Sequence, residues 1–174
     1  MVRRIEKPEE GEYAPYAMMY IGLLPDDGLV LKHLKDNLKA TKDFILSLPE
    51  EKLVFRYAEG KWTIKEMLVH IIDDERIYAY RALRFARNDQ MELPGFDQDI
   101  YAHHSGAKER SIKGILKEFA TVRNSTISLF KNLDDEALMR AGVADGKAMS
   151  VRAAAYHIAG HELRHINIIK ERYL

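Results

Sequence analysis

Three histidines near the carboxyl end of the sequence, His157, His161 and His165, follow one another at intervals of four residues. Side chains four apart on a helix share one face, with Cβ atoms about 6 Å apart. Two neighbouring imidazoles can therefore bind one metal ion, with bonds of about 2.0–2.1 Å. Eight residues of helix separate the outer two by about 12 Å, so all three cannot share an ion. The row offers two candidate metal-binding pairs.

A further ligand must come from another part of the chain, and His70 is the candidate. It lies in an apolar segment whose spacing predicts a separate helix. Buried imidazoles need polar partners, which the core of an apolar helical bundle seldom supplies. We therefore interpret His70 and one of the two pairs as a three-histidine site for a divalent metal.

Two other metal-site patterns overlap the same segment. His161-Glu162-Leu163-Arg164-His165 matches the H-E-x-x-H pattern of zinc peptidases, in which the glutamate activates a metal-bound water. The extended pattern, however, needs glycine where Ile168 stands and histidine where Glu171 stands. Glu162 and His165 also form one E-x-x-H pair of the di-iron type, but no other helix supplies the second pair. We favour neither interpretation.

The elements that must position these residues have helical periodicity. Apolar residues at three- and four-residue steps predict four helices, over about 29–48, 64–87, 112–133 and 151–174. Thr63, with Glu66 three residues on, and Ser150 are the predicted N-caps of the second and fourth helices. The sequence predicts an all-α four-helix bundle that forms one domain over 1–174. Periodicity alone leaves its topology open.

The segments between the helices differ in character. Residues 1–25 form an irregular lead-in, and the helical spacing fades after the third helix through Gly142, Asp145 and Gly146. Residues 88–106 are rich in turn-forming residues and predict a long loop of the kind that can cover a site. His103 and His104 lie in this loop, and we interpret them as exposed.

Composition narrows the function classes. The 174 residues carry 27 basic and 27 acidic side chains, so no global field attracts nucleic acid or anionic lipid. The sequence has no cysteine, which excludes disulfides and a nucleophilic thiol of its own and fits a reducing compartment. No apolar run approaches the length of a membrane span. We expect a cytoplasmic protein.

The segment Trp62–Glu75 and the row His157–His165, with support from Leu93–Asp99 and Arg123, resemble the DinB-like/YfiT-like superfamily. The resemblance implies a four-helix bundle, often a homodimer, with a divalent metal bound by one histidine of the second helix and two of the fourth. By position these are His70, His161 and His165. His157 then becomes a neighbour of the site.

Two further residues are candidates for the surroundings of the metal. Asp74 lies one helical turn after His70, where it could orient that imidazole or act as an additional ligand. Arg123 falls in an apolar row of the third predicted helix, so an inward guanidinium there needs a carboxylate such as Asp74 or Glu75.

Three imidazoles would leave an open position on the metal for water or substrate. This geometry suits hydrolysis of a small molecule, and the resemblance adds S-transfer of a low-molecular-weight thiol that must be supplied from outside. Zinc or nickel is the favoured ion, with iron or manganese as alternatives. The rival hypothesis is a noncatalytic bundle, stabilised by the metal, that acts as a binding or stress-response protein.

Overall fold

The computed structural model describes residues 3–174, and most of them are helical. In chain order the elements are α1 (Met18–Ile21), α2 (Val30–Leu46), α3 (Glu50–Leu53), α4 (Ile64–Ala86), α5 (Gln98–His104), α6 (Ile112–Lys131), α7 (Asp135–Met139), β1 (Ala141–Ala144), β2 (Lys147–Ser150) and α8 (Val151–Arg172). The four long helices α2, α4, α6 and α8 confirm the predicted four-helix bundle. Within 3–174, no helix is both long enough and apolar enough to cross a membrane.

The packing of the long helices settles the topology that periodicity left open. α4 packs against α6 and α8, and α2 packs against the same two helices. Consecutive long helices α2 and α4 therefore lie diagonally across the bundle, as do α6 and α8. This is not the simple up-and-down order, in which each long helix packs beside the next one in sequence. It makes α4 and α8 neighbours, which a site built from both requires.

Side-chain caps fix where α4 and α8 begin. The Thr63 hydroxyl accepts a hydrogen bond from the Glu66 backbone N–H at 3.1 Å, and Glu66 Oε2 accepts one from the Thr63 backbone N–H at 2.7 Å. Ser150 Oγ accepts a hydrogen bond from the Ala153 N–H at 3.1 Å. Both predicted N-caps are thus confirmed, and the first is a full capping box.

The connections contain structure that the periodicity did not predict. The stretch 88–106 was expected to be a loop, but it includes α5, whose N-cap Asp97 accepts hydrogen bonds from the backbone of Asp99 and Ile100. The region where helical spacing fades is an antiparallel hairpin. Its two turn residues, Asp145 and Gly146, both have positive φ, as a type I′ turn requires. The lead-in also contains a 3-10 turn and α1.

The core has two apolar clusters with a polar layer between them. One cluster fills the end of the bundle that holds the amino-terminal half of α8, and the other fills the end near its carboxyl terminus. At mid-height each long helix contributes a buried polar residue: Thr41 from α2, Glu75 from α4, Arg123 from α6 and Glu162 from α8. Such a layer is tolerated only where its groups satisfy one another.

Arg123 connects this layer. Its guanidinium donates to both carboxylate oxygens of Glu75, at 2.9 Å from Nε and 2.9 Å from Nη2. Nη1 donates to Glu162 Oε2 at 2.8 Å and to the Leu34 carbonyl at 2.6 Å. Thr41 Oγ1 donates to the other Glu162 oxygen at 2.7 Å. The carboxylate that Arg123 needs comes from Glu75 and Glu162, and the alternative partner Asp74 is not used.

Replacing Arg123 with methionine should lower the free energy of unfolding by about 3–5 kcal/mol, because two carboxylates would stay buried without their cation. Urea unfolding followed by circular dichroism measures the change. Arg87→Met, at an exposed position after α4, is the matched control and should shift stability by no more than about 0.5 kcal/mol. Equal stabilities for the two variants would contradict the role assigned to this network.

Candidate metal centre

Three imidazoles from two helices meet where α4 packs against α8. His161 Nε2 lies 3.1 Å from His70 Nε2 and 3.1 Å from His165 Nε2. The three ligand atoms all lie within 4.8 Å of one another. His70 and His161 are buried, and His165 is partly buried. The structure thus brings together the three residues that the sequence analysis assigned to one ion.

The donor atoms fit a metal ion better than they fit one another. Two nitrogens bound to one tetrahedral ion at about 2.0–2.1 Å lie about 3.3 Å apart, close to the observed spacing. A neutral imidazole nitrogen has either one hydrogen or one lone pair, so His161 Nε2 cannot bond well to both neighbours. The Nδ1 atoms of His70 and His165 also lack a hydrogen-bond partner within residues 3–174. A cation between the three Nε2 atoms would occupy all three lone pairs.

Burial keeps these histidines in the neutral form that a metal requires. Burial lowers the pKa of His161 well below its usual value. Burial, and then the nearby His70, lower the pKa of His165 to about 3. The pKa of His70 is lowered by burial, although the charges of Asp74 and Asp99 oppose this. At neutral pH all three imidazoles therefore have a lone pair to offer.

Asp74 supports the centre through His161. Its Oδ2 lies 3.4 Å from His161 Nδ1, the nitrogen opposite the ligand atom, and 3.2 Å from His157 Nε2. Burial alone would raise the pKa of Asp74, but His161 and His157 hold it below its usual range, so the carboxylate is ionised. A carboxylate at Nδ1 favours the tautomer that leaves the lone pair on Nε2. Asp74 thus contacts His161, where the sequence analysis had placed it beside His70.

His157 lies beside the centre and outside the three-ligand group. Its ring stacks on Tyr78, with centroids 3.6 Å apart and planes at 9°. Its Nε2 is directed at Asp74, so the carboxylate bridges His157 and His161. The three histidines of α8 therefore have different roles. His161 and His165 lie with His70 in the candidate metal centre, and His157 packs against the Tyr78 ring.

Tyr20 is a residue of the site that the sequence analysis missed. Its ring meets His157 and His161 edge-on, with centroid distances of 5.0 and 5.3 Å. The close approach of α1 depends on Gly160, since a Cβ there would lie 2.1 Å from the Tyr20 carbonyl oxygen. A glycine inside α8 between two histidines was the one sequence signal of such an approach.

A cleft of about 660 Å³ reaches the centre on the side of His165. The amino-terminal end of α4, the end of α8 and α5 line it, together with the loop before α4. Trp62 forms part of its wall and packs on the His70 ring, with centroids 4.7 Å apart. A small molecule could therefore approach the imidazole of His165 from solvent.

Glu162 and Arg123 do not face this cleft. Glu162 is fully buried and accepts hydrogen bonds from Arg123 and Thr41, so it cannot act as the glutamate of a zinc peptidase. Arg123, a candidate pocket residue, lies in the polar layer, and its guanidinium is bound to carboxylates. Its two carboxylate partners, Glu75 and Glu162, directly follow Asp74 and His161 in sequence.

A helical bundle with three convergent histidines on neighbouring helices defines a class of metal-site proteins, and comparisons identify the family. A sequence model of the DinB superfamily matches residues 33–169. The chain belongs to this superfamily.

Two relatives illustrate the likeness. A protein of Oceanobacillus iheyensis, provisionally named metal-dependent hydrolase OB0413, is 28% identical over 142 residues, which cover 80% of this chain and 81% of that protein. The structure of YfiT from Bacillus subtilis superposes with a TM-score of 0.69 at 19% identity, covering 95% of this chain and 90% of that one. YfiT is described as a probable metal-dependent hydrolase with an unusual four-helix bundle topology.

The stability of the metal-free protein should rise with pH between about 3 and 6.5. His165 has a folded pKa of about 3 against an ordinary value of 6.5. In this window the unfolded chain therefore binds a proton that the folded chain does not, and stability is lost as the pH falls. Urea unfolding with a chelator at several pH values measures the slope. His165→Gln should flatten it relative to wild type, and His104→Gln, at an exposed position, should leave it unchanged.

Substituting Asp74 with asparagine should weaken metal binding by about 10–100-fold, because His161 loses the charged partner of its Nδ1. Competition with a chromophoric chelator measures the affinity. Asp73→Asn is the matched control, since the neighbouring carboxylate is half-buried and faces Arg76. If both variants bind metal equally tightly, Asp74 has no such role.

Proposed function

We propose that this protein is a metal-dependent hydrolase whose divalent cation is bound by His70, His161 and His165. The observation that carries the proposal is the convergence of three neutral imidazole nitrogens beside a solvent-accessible cleft. The names given to the relatives in Oceanobacillus iheyensis and Bacillus subtilis support hydrolysis as the reaction class.

Each part of the proposed site has a separate task. The three histidines bind the ion, Asp74 orients His161, and Trp62 packs on His70. When bound, a divalent cation with three protein ligands offers an open position and lowers the pKa of water or polarises a carbonyl there. The cleft beside His165 admits the small-molecule substrate to that position.

Imidazole ligands suit several ions, and we propose zinc or nickel ahead of iron or manganese. The sequence has no cysteine, so no thiolate of the protein competes for the metal. We also propose that the protein is a cytoplasmic homodimer. Its substrates would be small molecules, and we propose no nucleic acid or membrane partner.

Transfer of an external low-molecular-weight thiol is the second candidate. The same open position can lower the pKa of a thiol, and a cleft of about 660 Å³ has room for a thiol beside a second small molecule. A noncatalytic, metal-stabilised bundle with a binding or stress-response role is the remaining alternative. The cleft at His165 argues against it, because a purely structural site is usually closed to solvent.

His161→Ala should abolish stoichiometric metal binding, because His161 Nε2 lies 3.1 Å from the Nε2 atoms of both other ligands. The metal content of the purified protein, measured by elemental analysis, should fall from one equivalent of divalent metal to a trace. His104→Ala, on exposed α5, is the control and should retain the metal. Unchanged metal in His161→Ala would reject the site.

Measurements of turnover distinguish the three candidate functions. Metal-loaded protein should hydrolyse members of a panel of activated esters, amides and phosphoesters, and His161→Ala should not. If turnover appears only when a low-molecular-weight thiol is added and consumed, transfer replaces hydrolysis. If removal of the metal lowers the stability of the protein and neither assay shows turnover, the structural role is favoured.

A further inference from the structure

α5 places two side chains in the wall of the cleft beside the candidate metal centre. Asp99 and His103 lie one helical turn apart, so they share a face of this short helix. Both line the cleft that His165 also lines. His104, next to His103, lies outside that lining. The segment predicted to be an irregular loop thus presents a carboxylate and an imidazole to the place where a substrate would sit.

The other charged groups of the cleft are less suited to proton exchange. Glu66 accepts hydrogen bonds from the Thr63 backbone and from Arg56, at 2.7 and 2.9 Å. The Tyr173 hydroxyl donates to the Trp62 carbonyl at 2.6 Å. The imidazole of His103 has two ring nitrogens and can both accept and give a proton in one turnover.

Asp99 also lies within electrostatic range of the centre. The negative charges of Asp74 and Asp99 both oppose the effect of burial on the pKa of His70, although Asp99 belongs to a different helix. The face of α5 that carries Asp99 and His103 lines the same cleft as the candidate ligand His165.

We propose that His103 is a catalytic acid and base of this site. The proposal rests on the hydrolase function proposed above. In a hydrolysis, the His103 imidazole accepts one proton from the attacking water as the new bond to oxygen forms. It gives that proton to the leaving group as the old bond breaks. The imidazole ends each turnover in its starting state, so no other reactant is needed.

The charged and titratable groups that share the cleft with His103 come from three parts of the chain. From α5 comes Asp99, from the loop and α4 come Arg56, Tyr57, Lys61 and Glu66, and from the end of α8 come His165 and Tyr173. Arg56 and Glu66 pair with each other, which leaves Asp99 as the other carboxylate of the lining.

The test compares His103→Gln with His104→Gln in the full chain loaded with cobalt(II), using 4-nitrophenyl acetate as the probe. His103→Gln should lower kcat/KM by about 100-fold or more. His104→Gln, outside the lining of the cleft, should match wild type.

A binding measurement separates failure of this proposal from failure of the hydrolase function. Acetohydroxamate is titrated into the same cobalt proteins and followed by the visible absorption of the metal. His103→Gln should weaken its affinity by about 10-fold, as expected for one lost hydrogen bond to a charged ligand. If no protein turns over the ester but this loss is seen, the hydrolase function falls and the placement of His103 stands. Equal rates and affinities for the two glutamine variants would overturn the proposal.

Discussion

One buried guanidinium holds the four long helices of this bundle in register. Arg123 extends from α6 to Glu75 on α4, to Glu162 on α8 and to the Leu34 carbonyl on α2. A positive charge without partners in this position would be prohibitively costly, so the carboxylates must meet it and the helices can neither slide nor rotate far. The apolar clusters above and below it are less specific, because hydrophobic burial has no preferred direction.

The same constraint positions the metal centre. Glu75 and Glu162 directly follow Asp74 and His161, and successive helix residues point about 100° apart. When the glutamates bind Arg123, the residues before them are turned towards the α4–α8 interface. There Asp74 contacts His161, and His70 meets His161 and His165. A structural ion network and a site for chemistry are thus built from adjacent residues on the same two helices.

Much of this arrangement could be predicted from the sequence, because helical periodicity and capping are local. Apolar spacing located the four long helices, and Thr63 and Ser150 marked two of their starts. The four-residue spacing selected two possible histidine pairs, and only the family resemblance chose His161 with His165. The Asp145-Gly146 turn was a readable hairpin signal that the fading helical pattern obscured.

Only the tertiary structure decided how distant segments meet. Three features depend on contacts between residues far apart in sequence. They are the diagonal placement of α2 and α4, the contact of Tyr20 with two histidines, and the contact of Asp74 with His161. Periodicity shows which face of a helix is buried but not against what, since many packings bury the same apolar area. By itself the sequence determined the helices and a set of metal-binding side chains. The packing of α4 on α8, with α5 beside the cleft, decided which side chains converge and which ones line the cleft.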